Sequence, residues 1–282
     1  MPIMINTNVS SINAQRFLSS NTNALAKSQE RLSSGYRINK AGDDAAGLAL
    51  SEKLRTQIRG SQKASDNVQD GINVMNIADG AMQGITDYLQ RMRELAVQAG
   101  NDTYSSAQRS SMKSELNQLV SGITQISDST QFNGIFLLSG ASQATGMRIQ
   151  LGAGNSSSID VLKVGAEGIF ADIDATALSV GALKVDTATN ALSAISSLDT
   201  AITTVNTRRG KIGALTNRLE TTANTLATNV ENTSASESRI RNVDVAAESA
   251  ALTRNQILQQ ASAAMLGQAN QTPQLALQLI RG

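Results

Sequence analysis

Between positions 202 and 230 apolar residues recur in alternating steps of three and four: Ile202, Val205, Arg209, Ile212, Thr216, Leu219, Ala223, Leu226 and Val230. Seven of those nine are apolar and no proline interrupts them. That spacing lays one stripe along a helix and predicts a long seam packed against other long helices. The stripe extends upstream through Leu192 and Ile195, so the helix is expected over 186–231. The same reading predicts four more helices. In 5–34, Ile5, Val9 and Ile12 are spaced four and three, and Leu18, Leu25 and Leu32 lie seven apart. In 44–99 the stripe is Ile72, Met75, Met82, Ile85, Leu89, Met92 and Ala96. A shorter helix from Ser105 or Ser106 to about 127 carries Met112, Leu116, Leu119 and Ile123 on one face. In 238–269, after a Thr/Ser/Ala connector, the stripe is Ile240, Val243, Ala247, Ala250, Ile257, Ala261 and Ala264.

The punctuation supports these limits. Gly35 suits the position just past a helix end. A non-periodic connector, 36–42, follows, and Asp43 and Asp44 are placed to cap a new helix. Gly60, Gly71, Gly80 and Gly84 weaken the second helix by about 1 kcal/mol each relative to alanine. Gly100-Asn101-Asp102 ends it. Pro273 is expected to break or end the last helix, and Leu275, Leu277, Leu279 and Ile280 close the chain.

From 129 to 188 the period changes. Gln131-Phe132-Asn133-Gly134 reads as a turn, and 135–138 is apolar. Strands are expected at 147–151 and 158–164, joined through Gly152-Ala153-Gly154-Asn155 as a hairpin. The stretch 166–185 reads as irregular with short strands. A hairpin at mid-chain turns the chain back, so 5–34 should pair with 238–269 and 44–99 with 186–231. The expected fold is mainly α: long antiparallel helices in an elongated rod, with a coiled-coil terminal pair and a small β-hairpin region. The expected division is 1–42 with 236–282 as a terminal helical domain, and 43–235 as a helical rod domain.

Composition narrows the function. Four Phe, three Tyr and no Trp leave 282 residues with few rings to fill a core. Thin Ala- and Leu-lined contacts, or other copies of the chain, must do so instead. The net charge of +1 gives no reason to expect nucleic acid as a partner. With no Cys and no His, disulfides, zinc–thiolate sites and imidazole catalysis are excluded. The amino terminus lacks the basic and apolar regions of a cleavable signal, and no apolar run suits a membrane span. The terminal helices carry apolar stripes that one antiparallel partner cannot cover. Exposed stripes mean a further partner, and a second copy in a non-closing contact generates a filament. The alternative is a four-helix bundle with the inner pair, against which the 36–42 connector argues.

Specific runs carry a family resemblance. The stretch Leu32-Ser33-Ser34-Gly35-Tyr36-Arg37-Ile38-Asn39-Lys40-Ala41-Gly42-Asp43-Asp44-Ala45-Ala46-Gly47 resembles the amino-terminal signature of bacterial flagellin. Gln90-Arg91-Met92-Arg93-Glu94-Leu95-Ala96-Val97-Gln98, Thr130-Gln131-Phe132-Asn133-Gly134 and the carboxyl-terminal runs from Glu237 to Ile240 and from Ala264 to Arg281 match as well. Asn242 stands where an acid is common, Gly267 where Ala is common, and Gly282 extends the usual end. The resemblance implies a filament subunit for swimming motility, a homopolymer whose outermost helices are disordered in the monomer and line an inner tube, and, with so short a middle, a minimal form with no outer variable domain. It implies export by the flagellar type III apparatus to the extracellular flagellum. Its implied partners are an export chaperone, a cap protein and hook-associated proteins. A hook–filament junction protein of the same family is the alternative. The expected subunit-packing residues are Ile5, Val9, Ile12, Leu18, Leu25, Leu32, Ile240, Val243, Ile257, Leu258, Met265, Leu277, Leu279 and Ile280. The resemblance also implies that Gln90, Arg91, Leu95 and Glu115 are recognised by a host innate immune Toll-like receptor. Spacing puts Arg91 and Leu95 on one face; contact between neighbouring subunits is the other reading of that face. Leu275, Leu277, Leu279 and Ile280 either pack in the tube or serve chaperone and cytosolic immune-sensor recognition.

No catalytic or metal site and no cofactor is expected. Asp43-Asp44 reads as helix capping rather than a metal pair. Gly152-Ala153-Gly154 lacks the following Lys-Ser/Thr of a phosphate loop. Met75, Met82 and Met92 read as core filler. The metallopeptidase found in the central insert of some members needs a His-Glu-x-x-His helix, which a chain without His cannot supply.

Overall fold

The computed structural model describes residues 7–140, 146–156, 159–164, 169–170 and 172–281, with side chains described as far as Gln271. Ile5 and the side chains of Leu275, Leu277, Leu279 and Ile280 lie outside that description. The elements are α1 (Val9–Ser34), α2 (Ala45–Ala99), α3 (Ser106–Ser129), β1 (Gln131–Phe132), β2 (Ile135–Phe136), β3 (Arg148–Gln150), β4 (Val161–Lys163), α4 (Ala188–Arg241) and α5 (Val245–Arg281). The chain divides into two compact units, residues 1–56 with 232–282, and residues 57–231. Both divisions fall inside helices, α2 and α4.

The first unit is built on α1 and α5. Asn8 caps α1 by accepting from Ser11 N, and Gly35 closes it in the left-handed region at φ +73°, its N–H donating to Arg31 O. The two helices run antiparallel, with Asn8 opposite Ala269 at one end and Arg31 opposite Glu248 at the other. Their backbones approach closely, with Cα atoms within 8 Å of each other. Small seam residues such as Ser11, Ala14, Ser28, Ser262 and Ala269 permit that approach.

The second unit holds the large apolar core. The predicted stripe of α2 is buried throughout, from Ile72 and Met75 to Met92 and Ala96, and Met112, Leu116 and Ile123 of α3 face it. Full burial of such side chains contributes about 1.5–3 kcal/mol apiece, so this cluster dominates the unit. α4 runs antiparallel to α2: Arg209 pairs with Asp79 at 2.8 Å and also bonds Gln83, and Arg93 pairs with Asp199 at 2.6 Å. On α4, Val205, Ile212, Leu219 and Leu226 lie on the buried stripe as the spacing predicts. The upstream extension differs. Leu192 is 64% exposed, and the stripe continues through Leu198, Ala194 and Ala191 instead. There α4 turns its small residues inward, with Ala191 and Ala194 buried.

The β1–β2 hairpin turns on Asn133 (φ +50°) and Gly134 (φ +78°), two successive left-handed residues that match a two-residue hairpin turn. β3 and β4 pair antiparallel in the register Arg148 to Lys163. That second hairpin lies on α2, where a Cβ at Gly60 would sit 2.6 Å from Ala153 Cβ. The glycine that lowers helix propensity there makes room for the hairpin. The expected short strands in 166–185 do not form among the described residues. Ile169, Phe170, Ile173, Leu178, Val180 and Val185 are buried without a ladder. Backbone and side-chain bonds hold the segment: Ile173 N donates to Leu138 O at 3.0 Å and Arg208 Nη1 to Asp172 O at 2.9 Å.

Two helix limits correct the expectation. The Thr/Ser/Ala connector before 238 is helical, because α4 continues to Arg241; the chain breaks only at 242–244. α5 spans Pro273 and reaches Arg281, so no break falls there. On α4 the threonine hydroxyls bond within their own helix. Thr200, Thr203, Thr204 and Thr207 each donate to the carbonyl four residues back, at 2.8 to 3.0 Å.

Candidate assembly surface

Among the less exposed positions of α1 are Ser11, Ala14, Leu18, Asn21, Leu25, Ser28 and Leu32, and among those of α5 are Glu248, Leu252, Asn255, Gln259, Ser262, Leu266 and Ala269. Both runs alternate steps of four and three, which is coiled-coil spacing. Nine of these fourteen residues are Ser, Asn, Gln, Glu or Ala. Polar contacts cross the seam: Ser11 Oγ donates to Asn270 Oδ1 at 2.7 Å and Asn21 Nδ2 to Ser262 Oγ at 2.8 Å. Large apolar residues stand outside it. Val9 and Ile12 are each 57% exposed, Phe17 58%, Ile257 60% and Met265 67%. A groove of about 250 Å³ between the helices is lined by Ala14, Phe17, Asn21, Leu258, Ser262 and Met265.

This corrects the reading of α5. The stripe of Ile257, Ala261 and Ala264 points away from α1, and a polar-rich face makes the pair. Of the expected packing residues, Leu18, Leu25 and Leu32 lie on the seam within the chain. Val9, Ile12, Ile257, Leu258 and Met265 are exposed, while Ile240 and Val243 are half-buried where α4 meets α5.

The connectors are tied to one another. Tyr36 bridges Asn242; Arg37 N donates to Arg241 O at 2.7 Å and Val243 N to Gly35 O at 3.0 Å. Arg241 lies 4.7 Å over the Tyr36 ring and 2.6 Å from Glu52, whose carboxyl is held below its ordinary pKa by Arg241 first and Arg55 second. Asp43 accepts from the Asn39 and Lys40 N–H groups and pairs with Lys27 at 2.7 Å. The Lys27 hydrogen bond leads in lowering its pKa from 3.8 to about 2, followed by the N–H groups of Lys40 and Asn39. Only Asp44 caps α2, accepting from Gly47 N at 2.8 Å; Asp43 latches the connector instead. Among the described residues no group of three acids gathers as a metal site. No described helix is long and apolar enough to cross a membrane.

In the other unit, Arg91 of α2 reaches Glu115 of α3 at 2.8 Å and Glu94 at 3.0 Å, and these two acids, Glu115 first, raise its pKa. Gln90, Arg91 and Glu115 are exposed. Leu95 is not: it is 2% exposed and belongs to the core. Four residues turn a helix about 40° past one full circle. That step carries position 95 off the exposed face of Arg91 onto the buried stripe of Met92, Ala96 and Ala99.

The family model for the bacterial flagellin N-terminal helical region matches residues 5–143, and that for the C-terminal helical region matches residues 195–280. The chain belongs to the bacterial flagellin family. It is 45% identical to a flagellin of Halalkalibacterium halodurans over 279 residues, covering 99% of this chain and 100% of the relative. It is 45% identical to a flagellin of Bacillus subtilis over 304 residues, covering 98% and 99%. A solved putative flagellar hook-associated protein from Vibrio parahaemolyticus superposes with a TM-score of 0.56 at 14% identity, covering 71% of this chain and 100% of that one. That likeness shows a shared fold alone, so nothing favours the hook-junction alternative. Family membership makes the flagellin a structural subunit of the bacterial flagellar filament. The family is structural rather than enzymatic.

Proposed function

We propose that this flagellin enters its filament by burying the outward faces of α1 and α5 against other copies of itself. One observation carries this reading: Val9, Ile12, Phe17, Ile257 and Met265 are all more than half exposed on a helix pair whose own seam is largely polar. Leaving such a stripe in water is unfavourable, and a homopolymer supplies an apolar cover at every subunit. Leu277, Leu279 and Ile280 extend the same role to the chain end. Export unfolded through the flagellar type III apparatus, with an export chaperone, a cap protein and hook-associated proteins as partners, is the route the family resemblance implies. Removal of residues 1–34 or 268–282 should abolish growth on filament seeds and leave the 57–231 unit with an unchanged thermal transition. Filaments from either truncated chain would refute the reading.

A second role rests on Gln90, Arg91 and Glu115, exposed side by side on α2 and α3. These three present a polar surface to the innate immune receptor implied by resemblance, while Leu95 acts beneath it as support. Monomer should activate receptor-bearing reporter cells and Arg91→Ala should blunt the response; an inert parent chain would end this reading.

A further inference from the structure

The leucines of α1 cannot by themselves fix how it lies on α5. Leu18, Leu25 and Leu32 repeat every seven residues, so a slip of seven along α5 sets leucine where leucine was. The polar contacts lack that degeneracy. Asn21 Nδ2 donates to Ser262 Oγ at 2.8 Å, and one helical step lower to Leu258 O at 3.4 Å. Asn255 Nδ2 donates to Ser28 Oγ at 3.4 Å. Ser28 is 5% exposed and Ser262 9%, so both hydroxyls depend on these partners. A seven-residue slip in one direction faces Asn21 on Asn255 but sets Ser262 against Ala14. A slip in the other direction sets Asn21 against Ala269. Either way, a seam polar group loses its partner to a methyl.

We infer that Asn21 and Ser262 are register-determining residues of the α1–α5 pair at mid-seam: the Gly35–Val243 and Arg37–Arg241 backbone bonds tie the end of α1 to the start of α5, and beyond that tie these two hold one antiparallel alignment among those that apolar packing leaves nearly equal. Single polar residues at seam positions fix register in other coiled coils by the same cost of misalignment. They are positioning residues, which set where Val9, Ile12, Phe17 and Met265 stand for the next copy. The inference goes beyond the assembly reading, since it concerns pairing within one chain whichever neighbour covers the outward faces.

The chain has no cysteine, so register can be read by intrachain cross-linking. Thr22 and Gln259 face each other, Nε2 to Oγ1 at 3.5 Å. Gln259→Cys combined with Thr22→Cys reports the native alignment. Combined with Gln15→Cys or Gln29→Cys, it reports slips of seven in either direction. Each pair is oxidised in seed-grown filaments and in soluble full-length chain, and the products are scored at monomer mass. In the parent background the native pair should exceed either shifted pair by about tenfold or more, the discrimination expected of a single seam hydrogen bond. In Asn21→Leu with Ser262→Leu the ratio should fall to within about threefold, although the seam is more apolar. The exchanged pair Asn21→Ser with Ser262→Asn should restore it, which a role in bulk stability alone would not require. Asn21→Ala with Ser262→Ala serves where leucines block filament growth. A native-only cross-link in either the leucine or the alanine variant, or shifted links in the parent chain, would overturn the assignment.

Discussion

The two units bury their helices by opposite means. Around α2, α3 and α4 the inward positions are mostly Met, Leu, Ile, Val and Ala, with a few buried polar residues such as Thr86 and Ser127, and the charged residues face out. Between α1 and α5 the inward positions are largely Ser, Asn, Gln and Ala, and Phe17, Ile257 and Met265 face out. Both show coiled-coil spacing, so periodicity does not separate them. The difference lies in what the stripe is for. The 57–231 unit satisfies its hydrophobic surface within one chain; the terminal pair keeps its largest apolar groups available.

That contrast can be broken deliberately. The largest effect should come from Ile12→Asp or Met265→Asp. Growth on seeds should fall by orders of magnitude while the thermal transition of the soluble chain moves by less than about 0.5 kcal/mol, as for exposed positions generally. Leu89→Ala should do the reverse. It should destabilise the 57–231 unit by about 2–5 kcal/mol in urea unfolding, because a fully buried side chain is removed. Two glycines of α2 sharpen the picture on a smaller scale. At Gly80 an added Cβ meets nothing within 4 Å, so Gly80→Ala should stabilise by about 1 kcal/mol. Gly60→Ala forces Ala153 aside and should destabilise by about 1–3 kcal/mol, read from the same melting curves.

The smallest effect is electrostatic. Asp43 ionises more easily in the folded chain than in the unfolded one, so its latch contributes above the ordinary carboxyl value of 3.8 and is lost as pH falls through about 2. Between those values the first unit of the parent chain should lose helix signal progressively with acid. Asp43→Asn should flatten that part of the profile and slightly lower stability at neutral pH. An identical acid profile in parent and variant would remove the latch from consideration.

The sequence was legible where large apolar residues alone occupied one face. The stripe from Ile72 to Ala96 is plain for that reason, as are the antiparallel partners of the four long helices; the β3–β4 hairpin shows through its glycine-rich link, whereas β1–β2 shows only as a turn at 131–134. Reading failed where alanine carried the packing. Alanine is equally at home on both faces, so the exchange of Leu192 for Ala191 and Ala194 left no signature. It failed again on α5, where the apolar stripe serves the exterior and polar residues make the seam. Leu95 shows a finer limit. A four-residue step lies close to one face, but 40° suffices to cross from surface to core at the edge of a wide buried stripe. The helical continuation of α4 to Arg241 overrides the low propensity of Thr, Asn and Ser, which the sequence alone gave no reason to discount.

Those threonines leave α4 with a surface at odds with its composition. A face rich in hydroxyls ordinarily organises water and must be dehydrated at some cost. Here each hydroxyl already donates to the carbonyl one turn back, so its oxygen meets water as an acceptor alone. A surface that displaces the water over such a coat finds acceptors and methyl groups to meet, and none of these four hydroxyl donors left to satisfy.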